Sequence, residues 1–121
     1  MQTTGFIGLG HMGGALARRL AAAGFPLAVH DLSAPACAPF RARGASVCAS
    51  ARAVADRADV VFLCLPSVGA TQMVARELAT GSAVKVVVET STVGPVSVRD
   101  MATVLAVRGI AGVDAPVSGG P

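Results

Sequence analysis

The most constraining feature of this sequence is the regular alternation of short apolar runs with longer segments of helical periodicity. Such alternation favours parallel strands joined by right-handed helical crossovers. We therefore predict an α/β fold with one doubly wound sheet of six strands, in the order 3-2-1-4-5-6, between two layers of helices. The predicted strands are 6–9, 27–31, 46–48, 60–65, 83–89 and 110–115, and the predicted helices are 13–23, 35–43, 51–57, 69–79 and 95–108.

The composition suits a core built from small aliphatic side chains. The 121 residues include no Trp or Tyr and four Phe, while hydrophobic residues make up 53% and charged residues 14%. Strands that are covered by helices on both faces are rich in such side chains, and this length suits one domain. We therefore expect residues 1–121 to form a single domain.

Charge and cysteine content argue against several classes of protein. The formal net charge is +3, and the arginines form no basic stripe with aromatic neighbours, so no nucleic-acid partner is expected. The three cysteines lack metal-ligand spacing, so no metal site is predicted. Neither a signal peptide nor an apolar run of roughly 18 residues is present. The sequence therefore predicts a soluble protein with no membrane partner, in a reducing cytoplasm.

A glycine pattern links the first predicted strand to the first predicted helix. Gly8, Gly10 and Gly13 have the spacing GxGxxG. In this position the first glycine permits a tight turn, the second lets the backbone approach a pyrophosphate, and the third lets the helix pack closely on the strand. The N-terminus of the helix then offers N–H groups to the phosphates. The pattern indicates a dinucleotide-binding site on a Rossmann-type fold.

Asp31 ends the second predicted strand, where a carboxylate commonly accepts hydrogen bonds from the adenosine ribose. A 2′-phosphate would be repelled at this position, and the following Leu32 and Ser33 offer it no cation. We therefore predict NAD as the cofactor, with NADP less favoured. A role for Asp31 in capping the following turn is the alternative.

Small and polar residues follow the later predicted strands as well. Leu65-Pro66-Ser67 follows the fourth, Thr90-Ser91-Thr92 the fifth, and residues 116–120 the sixth. Each segment alone could be an ordinary turn. Because ligands of open α/β sheets bind outside the carboxyl ends of the strands, together they predict a crevice for cofactor and substrate.

Several motifs, taken in order, resemble those of one enzyme family. They are FIGLGHMG at 6–13, ADVV at 58–61, LP at 65–66, ST at 91–92 followed by Pro95, and DAPVSGG at 114–120. The chain resembles the 3-hydroxyisobutyrate dehydrogenases, also called β-hydroxyacid dehydrogenases, with tartronate semialdehyde reductase as a close relative. The resemblance covers the whole chain, and DAPVSGG is its most specific motif.

The resemblance implies roles for matching positions. The backbone amides of His11 and Met12 would lie along the pyrophosphate, Leu65 and Pro66 would line the path of the cofactor, and Thr92 would contact the nicotinamide side. Ser118, Gly119 and Gly120 would hold the substrate carboxylate. Consecutive N–H groups on glycines do form a concave anion site.

The resemblance also implies that no residue of this sequence is catalytic. The family's catalytic lysine and its helical second domain follow the Ser-Gly-Gly motif, so residues 1–121 are predicted to be a truncated NAD(P)-binding domain. The only lysine, Lys85, is predicted at the end of the sheet opposite the cofactor. His11 and His30 lack a paired carboxylate in the sequence and are predicted to be loop or strand residues. A missing partner domain would leave an apolar surface near the sixth strand, from which self-association is expected.

Three positions depart from the family pattern. Glu89 stands where Asp is more frequent, and Arg19 and Ala70 stand where Asn often occurs. These departures leave the fold prediction intact and bear on cofactor affinity.

The function predicted for the parent protein is hydride transfer between NAD and a small 3-hydroxy acid or its semialdehyde. An imine reductase or a 6-phosphogluconate dehydrogenase relative is an alternative, although those enzymes tend to use NADP. A free-standing NAD-sensing regulatory module, such as those that gate potassium transport, is an alternative from another class. It would have no need of the DAPVSGG motif.

Overall fold

Strands and helices alternate throughout the computed structural model, which describes residues 2–91 and 94–116. The strands are β1 (Thr4–Ile7), β2 (Leu27–His30), β3 (Ser46–Val47), β4 (Val60–Leu63), β5 (Val86–Glu89) and β6 (Ala111–Asp114). The helices are α1 (His11–Ala22), α2 (Ala34–Ala42), α3 (Ala51–Ala55), α4 (Val68–Leu78) and α5 (Pro95–Ala106).

All strands belong to one parallel sheet in the order β3-β2-β1-β4-β5-β6. The predicted order and direction are confirmed. The chain moves outward from β1 to β2 and β3 on one side, then returns to place β4, β5 and β6 on the other. The carboxyl ends of β1 and β4 therefore flank the point where the strand order reverses, which is where such sheets bind ligands.

Helices cover both faces of the sheet and create two apolar cores. One core joins α1 and α2 to the sheet through Ala17, Phe40, Phe6 and Val29. The other joins α3, α4 and α5 to the sheet, and its members include Val54, Leu78, Leu105, Val61 and Val87. The predicted three-layer arrangement is therefore confirmed.

The first strand and first helix both begin earlier than predicted. Thr4 and Gly5 pair with both β2 and β4, while Gly8 has a φ of +98° and ends the ladder. Residues 8 and 9 therefore lie outside β1, although Leu9 is buried. The helix begins at His11 instead of Gly13, so His11 and Met12 form its first turn.

The fifth strand begins later than predicted. Ala83 and Val84 both donate their N–H groups to the Ala55 carbonyl, at 2.9 and 3.0 Å, and Lys85 donates to the Asp59 carbonyl at 2.7 Å. Ala83 and Val84 belong to the apolar run in the sequence, but they bond to the end of α3, whereas Asp59, just before β4, also accepts the Val86 N–H. No helix within the described ranges is long and apolar enough to cross a bilayer.

Candidate cofactor site

A cleft of about 630 Å³ runs along the carboxyl edge of the sheet, across the ends of β1, β2, β4 and β5. It contains every described residue that the sequence predicted for cofactor binding. These residues are Gly8, Gly10, His11, Met12, Gly13, Asp31, Leu65 and Pro66. The remaining predicted site residues, Thr92, Ser118, Gly119 and Gly120, lie outside the described residues.

The glycine loop fits closely against the end of β4. A Cβ atom at Gly8 would collide with the Cys64 carbonyl oxygen, and one at Gly13 would collide with the Gly8 carbonyl oxygen. Because both collisions are with backbone, no side-chain movement relieves them. The two glycines thus set the distance at which α1 packs on the sheet.

Gly10 differs from its two neighbours in the motif. A Cβ atom there would meet no protein atom within 4 Å, so protein packing does not demand a glycine. Gly10 is the N-cap of α1, which has no side-chain cap and no acidic residue in its first turn. Uncapped N–H groups at a helix N-terminus bind anions, and the open space over Gly10 suits a pyrophosphate.

Asp31 is held from both sides just after β2. Its Oδ2 accepts the Leu9 N–H at 2.7 Å, and its Oδ1 accepts the Ser33 N–H at 2.8 Å. Each carboxylate oxygen has a further lone pair for a ligand hydroxyl. The first bond ties Asp31 to the glycine loop and the second ties it to the turn after β2, so the carboxylate and the loop are held together. Both roles of Asp31 weighed from the sequence, ligand acceptor and turn cap, fit this geometry.

The far wall of the cleft comes from the ends of β4 and β5. Leu65 donates its N–H to Ser91 Oγ at 2.6 Å, and Ser91 donates its own N–H to Glu89 Oε1 at 2.8 Å. Thr90 Oγ1 donates to the Leu63 carbonyl at 2.6 Å. These bonds join the two strand ends into one continuous wall.

Residues 3–121 match the family model described as the NAD binding domain of 6-phosphogluconate dehydrogenase. The chain belongs to this family of NAD-binding domains. The cleft residues fit the cofactor, since they combine an open glycine at a helix N-terminus with an anchored carboxylate. The predicted cofactor is thereby confirmed at the level of the family.

Two curated relatives match this NAD-binding domain over nearly its whole length. An NAD-dependent L-serine dehydrogenase from Pseudomonas aeruginosa is 41% identical over 130 residues, which cover 99% of this chain and 42% of the relative. The mitochondrial 3-hydroxyisobutyrate dehydrogenase of Drosophila melanogaster is 36% identical over 118 residues, which cover 96% of this chain and 36% of the relative. The resemblance predicted from the motifs is confirmed, and the chain spans 36–42% of the length of these relatives.

Solved structures show the same fold. A 3-hydroxyisobutyrate dehydrogenase from Mycobacterium tuberculosis with L-serine superposes with a TM-score of 0.90 at 29% identity, over 99% of this chain and 42% of that one. An imine reductase from Myxococcus stipitatus in complex with NADP+ has a TM-score of 0.88 at 22% identity, over 97% of this chain and 41% of that one. At that identity the second likeness shows the fold alone.

Three α4 residues of the cleft in this NAD-binding domain, Met73, Val74 and Glu77, were not predicted, whereas Ala70 was noted as a departure that bears on cofactor affinity. One face of α4 borders the cleft at Ala70, Met73, Val74 and Glu77. The spacing of these residues places them on a single helical stripe. Met73 is 66% exposed, and the helical spacing of these residues was the signal available in the sequence.

Leu32 also lines the cleft and is 98% exposed. It lies next to Asp31 in the same cleft that the α4 stripe borders. From the sequence, Leu32 was considered only as a position that offers no positive charge.

A second cavity of about 260 Å³ lies behind Asp31, between α2 and β3. His30, on its wall, donates from Nδ1 to the Cys48 carbonyl at 2.9 Å. This bond holds β2 to the segment after β3 and uses one of the two ring nitrogens.

Burial raises the pKa of the Cys48 thiol above its ordinary value, and the nearby Arg57 opposes that shift. The raised pKa favours the neutral thiol, and only the thiolate is a good nucleophile. Cys48 is therefore a packing residue.

Neither histidine nor the lysine is placed as a base in the described structure. His11 is exposed on the first turn of α1, and His30 is engaged as described above. Lys85 is exposed just before β5, at the amino edge of the sheet and away from the cleft. Among residues 2–91 and 94–116 no group of three or more metal-binding side chains comes together.

Proposed function

We propose that this chain is the cofactor domain of a dehydrogenase that transfers hydride between NAD and a small 3-hydroxy acid, or its semialdehyde. The observation that carries this proposal is the hydrogen bond between the Leu9 N–H and Asp31 at 2.7 Å. It fixes a ribose-binding carboxylate beside an open, uncapped helix N-terminus in one cleft. NAD, when bound, supplies the hydride acceptor.

The preference for NAD over NADP rests on charge. The carboxylate of Asp31 would face a 2′-phosphate, and its neighbour Leu32 offers no positive charge to that group. NADP-dependent imine reductases and 6-phosphogluconate dehydrogenases are therefore poorer models for the activity than the NAD-dependent relatives. The carboxylate can still accept the ribose hydroxyls, because its two protein bonds leave lone pairs free.

The proposed contacts follow the wall of the cleft from β1 to β5. Backbone amides of His11 and Met12 bind the pyrophosphate together with Gly10, and Leu65 and Pro66 lie along the path toward the nicotinamide. Their common place in the cleft supports these roles. Thr92 as a nicotinamide contact, and Ser118, Gly119 and Gly120 as the substrate-carboxylate site, are proposed from the family motifs alone.

The substrate class comes from what the relatives' names share. L-serine and 3-hydroxyisobutyrate are both small carboxylic acids with a hydroxyl on carbon 3. A substrate of this class needs a site for its carboxylate and a group that takes the hydroxyl proton. The proposed Ser-Gly-Gly turn meets the first need.

The proton acceptor is not among the described residues of the cleft. A positioned general base typically contributes on the order of 10²–10⁴ in rate. We therefore propose that residues 1–121 act as a cofactor-binding unit and contribute no catalytic base. Turnover needs a base from outside these residues.

Two further properties are proposed for the protein in the cell. All three cysteines are free thiols, which suits a reducing cytoplasm. A homo-oligomer is proposed because β6 is the edge of the sheet and its side chains are largely exposed.

Calorimetric titration of the 121-residue protein tests the proposal. NAD should bind with measurable affinity and more tightly than NADP. Assays with 3-hydroxyisobutyrate, L-serine and glycerate should show no reduction of NAD by this chain. If NADP binds better, the cofactor assignment is wrong. If NAD is reduced, and a substitution within residues 1–121 abolishes the reaction, the proposal that these residues lack a base is wrong.

A further inference from the structure

We propose that the Ser91 hydroxyl is a further cofactor-binding group, and that Glu89 is the residue that positions it. This inference rests on the proposed cofactor function and adds a contact that the family motifs did not predict. Ser91 lines the cleft directly after β5 and is 7% exposed.

The hydrogen bonds of Ser91 leave its hydroxyl proton for a ligand. A serine hydroxyl has one donor and two acceptor lone pairs. Ser91 Oγ accepts the Leu65 N–H at 2.6 Å, which uses one lone pair and fixes the oxygen at the cleft wall. Within the part of the chain that the structure describes, Ser91 Oγ donates to no acceptor. A cofactor oxygen in the cleft could take this proton.

Glu89 holds Ser91 in this orientation from behind. Its side chain is fully buried, at 0% exposure, and Oε1 accepts the Ser91 N–H at 2.8 Å. The other oxygen, Oε2, has no hydrogen-bond partner among the described residues. Burying an oxygen without a partner lowers the stability of the fold. The presence of a glutamate at position 89 is therefore better explained by its bond to Ser91 than by a contribution to folding.

The order of the sheet decides which half of the cofactor Ser91 meets. Asp31 follows β2, on one side of β1, and holds the adenosine ribose in the proposed site. Ser91 follows β5, two strands from β1 on the other side. A dinucleotide whose pyrophosphate lies over Gly10 therefore extends its nicotinamide riboside toward Ser91.

The substitution Ser91→Ala tests the contact when two ligands are compared on the full chain. NAD carries the nicotinamide riboside, whereas ADP keeps only the adenosine and the diphosphate. Loss of one hydrogen bond should weaken NAD binding on the order of three- to tenfold and leave ADP binding unchanged. Ser97→Ala is the matched control, since Ser97 is a buried serine on α5 outside the cleft. It should change neither affinity.

The positioning role of Glu89 is tested by a pair of variants. Glu89→Gln keeps an acceptor for the Ser91 N–H and should retain most of the NAD affinity. Glu89→Met has a similar volume without the acceptor and should show the same selective loss as Ser91→Ala. This pair also decides the matter if Ser91→Ala fails to fold.

Each alternative result has a separate meaning. If the parent chain binds NAD and Ser91→Ala binds it equally well, the inference fails and the proposed function stands. If Ser91→Ala weakens NAD and ADP alike, Ser91 only supports the loop and the inference fails. Absence of NAD binding by the parent chain would overturn both proposals.

Discussion

Asp31 shows how a single residue can be fixed by its neighbours before any ligand arrives. The carboxylate accepts two backbone N–H groups, one from the glycine loop and one from the turn after β2. It is therefore held at a defined place, and none of residues 2–91 and 94–116 forms an ion pair with it. A rotation of this side chain would leave the Leu9 N–H without its acceptor, at a typical cost of about 1–3 kcal/mol.

Substitutions at Asp31 should narrow the preference for NAD over NADP. Asp31→Asn removes the charge and keeps an acceptor oxygen, and Asp31→Ala removes both. Repulsion of a 2′-phosphate by an unpaired carboxylate is worth on the order of 1–3 kcal/mol, so the ratio of the NADP and NAD dissociation constants should fall at least roughly fivefold. Calorimetry with both cofactors measures it. Asp100→Asn removes an exposed carboxylate on α5 and should leave the ratio unchanged; an unaltered ratio in both Asp31 variants would show that Asp31 does not select the cofactor.

Whether a cleft residue could be predicted depends on how far away in the sequence its contact partners lie. Asp31 was predictable because strand end and glycine pattern both mark it. Ser91 and Glu89 were not assigned roles, because their importance depends on the Leu65 N–H, which comes from a different strand end. The α4 stripe beyond Ala70 was missed because it forms the cleft together with residues that are distant in sequence.

At the scale of elements, the β1–α1 unit separates two glycines that packing requires, Gly8 and Gly13, from Gly10, which packing does not require. Gly13 has no room for a Cβ atom against the Gly8 carbonyl, while Gly10 has open space around it. Both positions match the motif equally well in sequence. Only the packing of the unit shows that the two positions differ, and this difference predicts different purposes for them.

A comparison of Gly10→Ala with Gly13→Ala should separate the two purposes. Gly10→Ala should change the free energy of unfolding by no more than about 0.5 kcal/mol, because its methyl group meets no protein atom, yet weaken NAD binding by filling the space over the helix N-terminus. Gly13→Ala should lower the free energy of unfolding by about 1–3 kcal/mol.

Chemical denaturation and calorimetry on both variants measure these effects. Each variant is the control for the other, since both add one methyl group to the same loop. Equal destabilisation by both substitutions, or parent-like NAD affinity in Gly10→Ala, would contradict the division of roles.

At the scale of the whole molecule, the helices cover the sheet unevenly. The face under α1 and α2 is closed over β1 and β2, where Phe6 and Val29 are fully buried. On the same face farther along, Phe62 and Val88 are only half-buried, and Val113 on β6 is 42% exposed. Val88 and Val113 are register partners, so this apolar surface continues to the edge of the sheet.

The uncovered surface predicts self-association of the 121-residue protein. Apolar surface of this kind tends to be buried against a partner, and a second copy is the partner at hand in a purified sample. Light scattering should give a mass above 12.0 kDa that rises with concentration. Val113→Lys should shift the protein toward the monomer, because the charge would lie within the contact.

Val107→Lys is the matched control for that experiment. Val107 is 81% exposed but lies just after α5, away from the half-buried face, so the variant should associate as the parent does. A parent chain that stays monomeric at high concentration would contradict the prediction.

The sequence by itself determined the class of fold, the strand order and the residues of the glycine loop. The physical reason is that these depend on local patterns: apolar periodicity defines each element, and the handedness of crossovers then limits how parallel strands can be arranged. Asp31 and the turns after β4 and β5 were predictable too, because all carboxyl ends of parallel strands meet at one edge.

The tertiary structure decided what those local patterns leave open. It placed the start of β5 at Val86, because Ala83 and Val84 bond to the end of α3. It brought α4 and Leu32 to the same cleft, and it joined Glu89, Ser91 and Leu65 into one wall. Each of these depends on contacts between segments distant in sequence, and such contacts form only when the whole sheet is assembled.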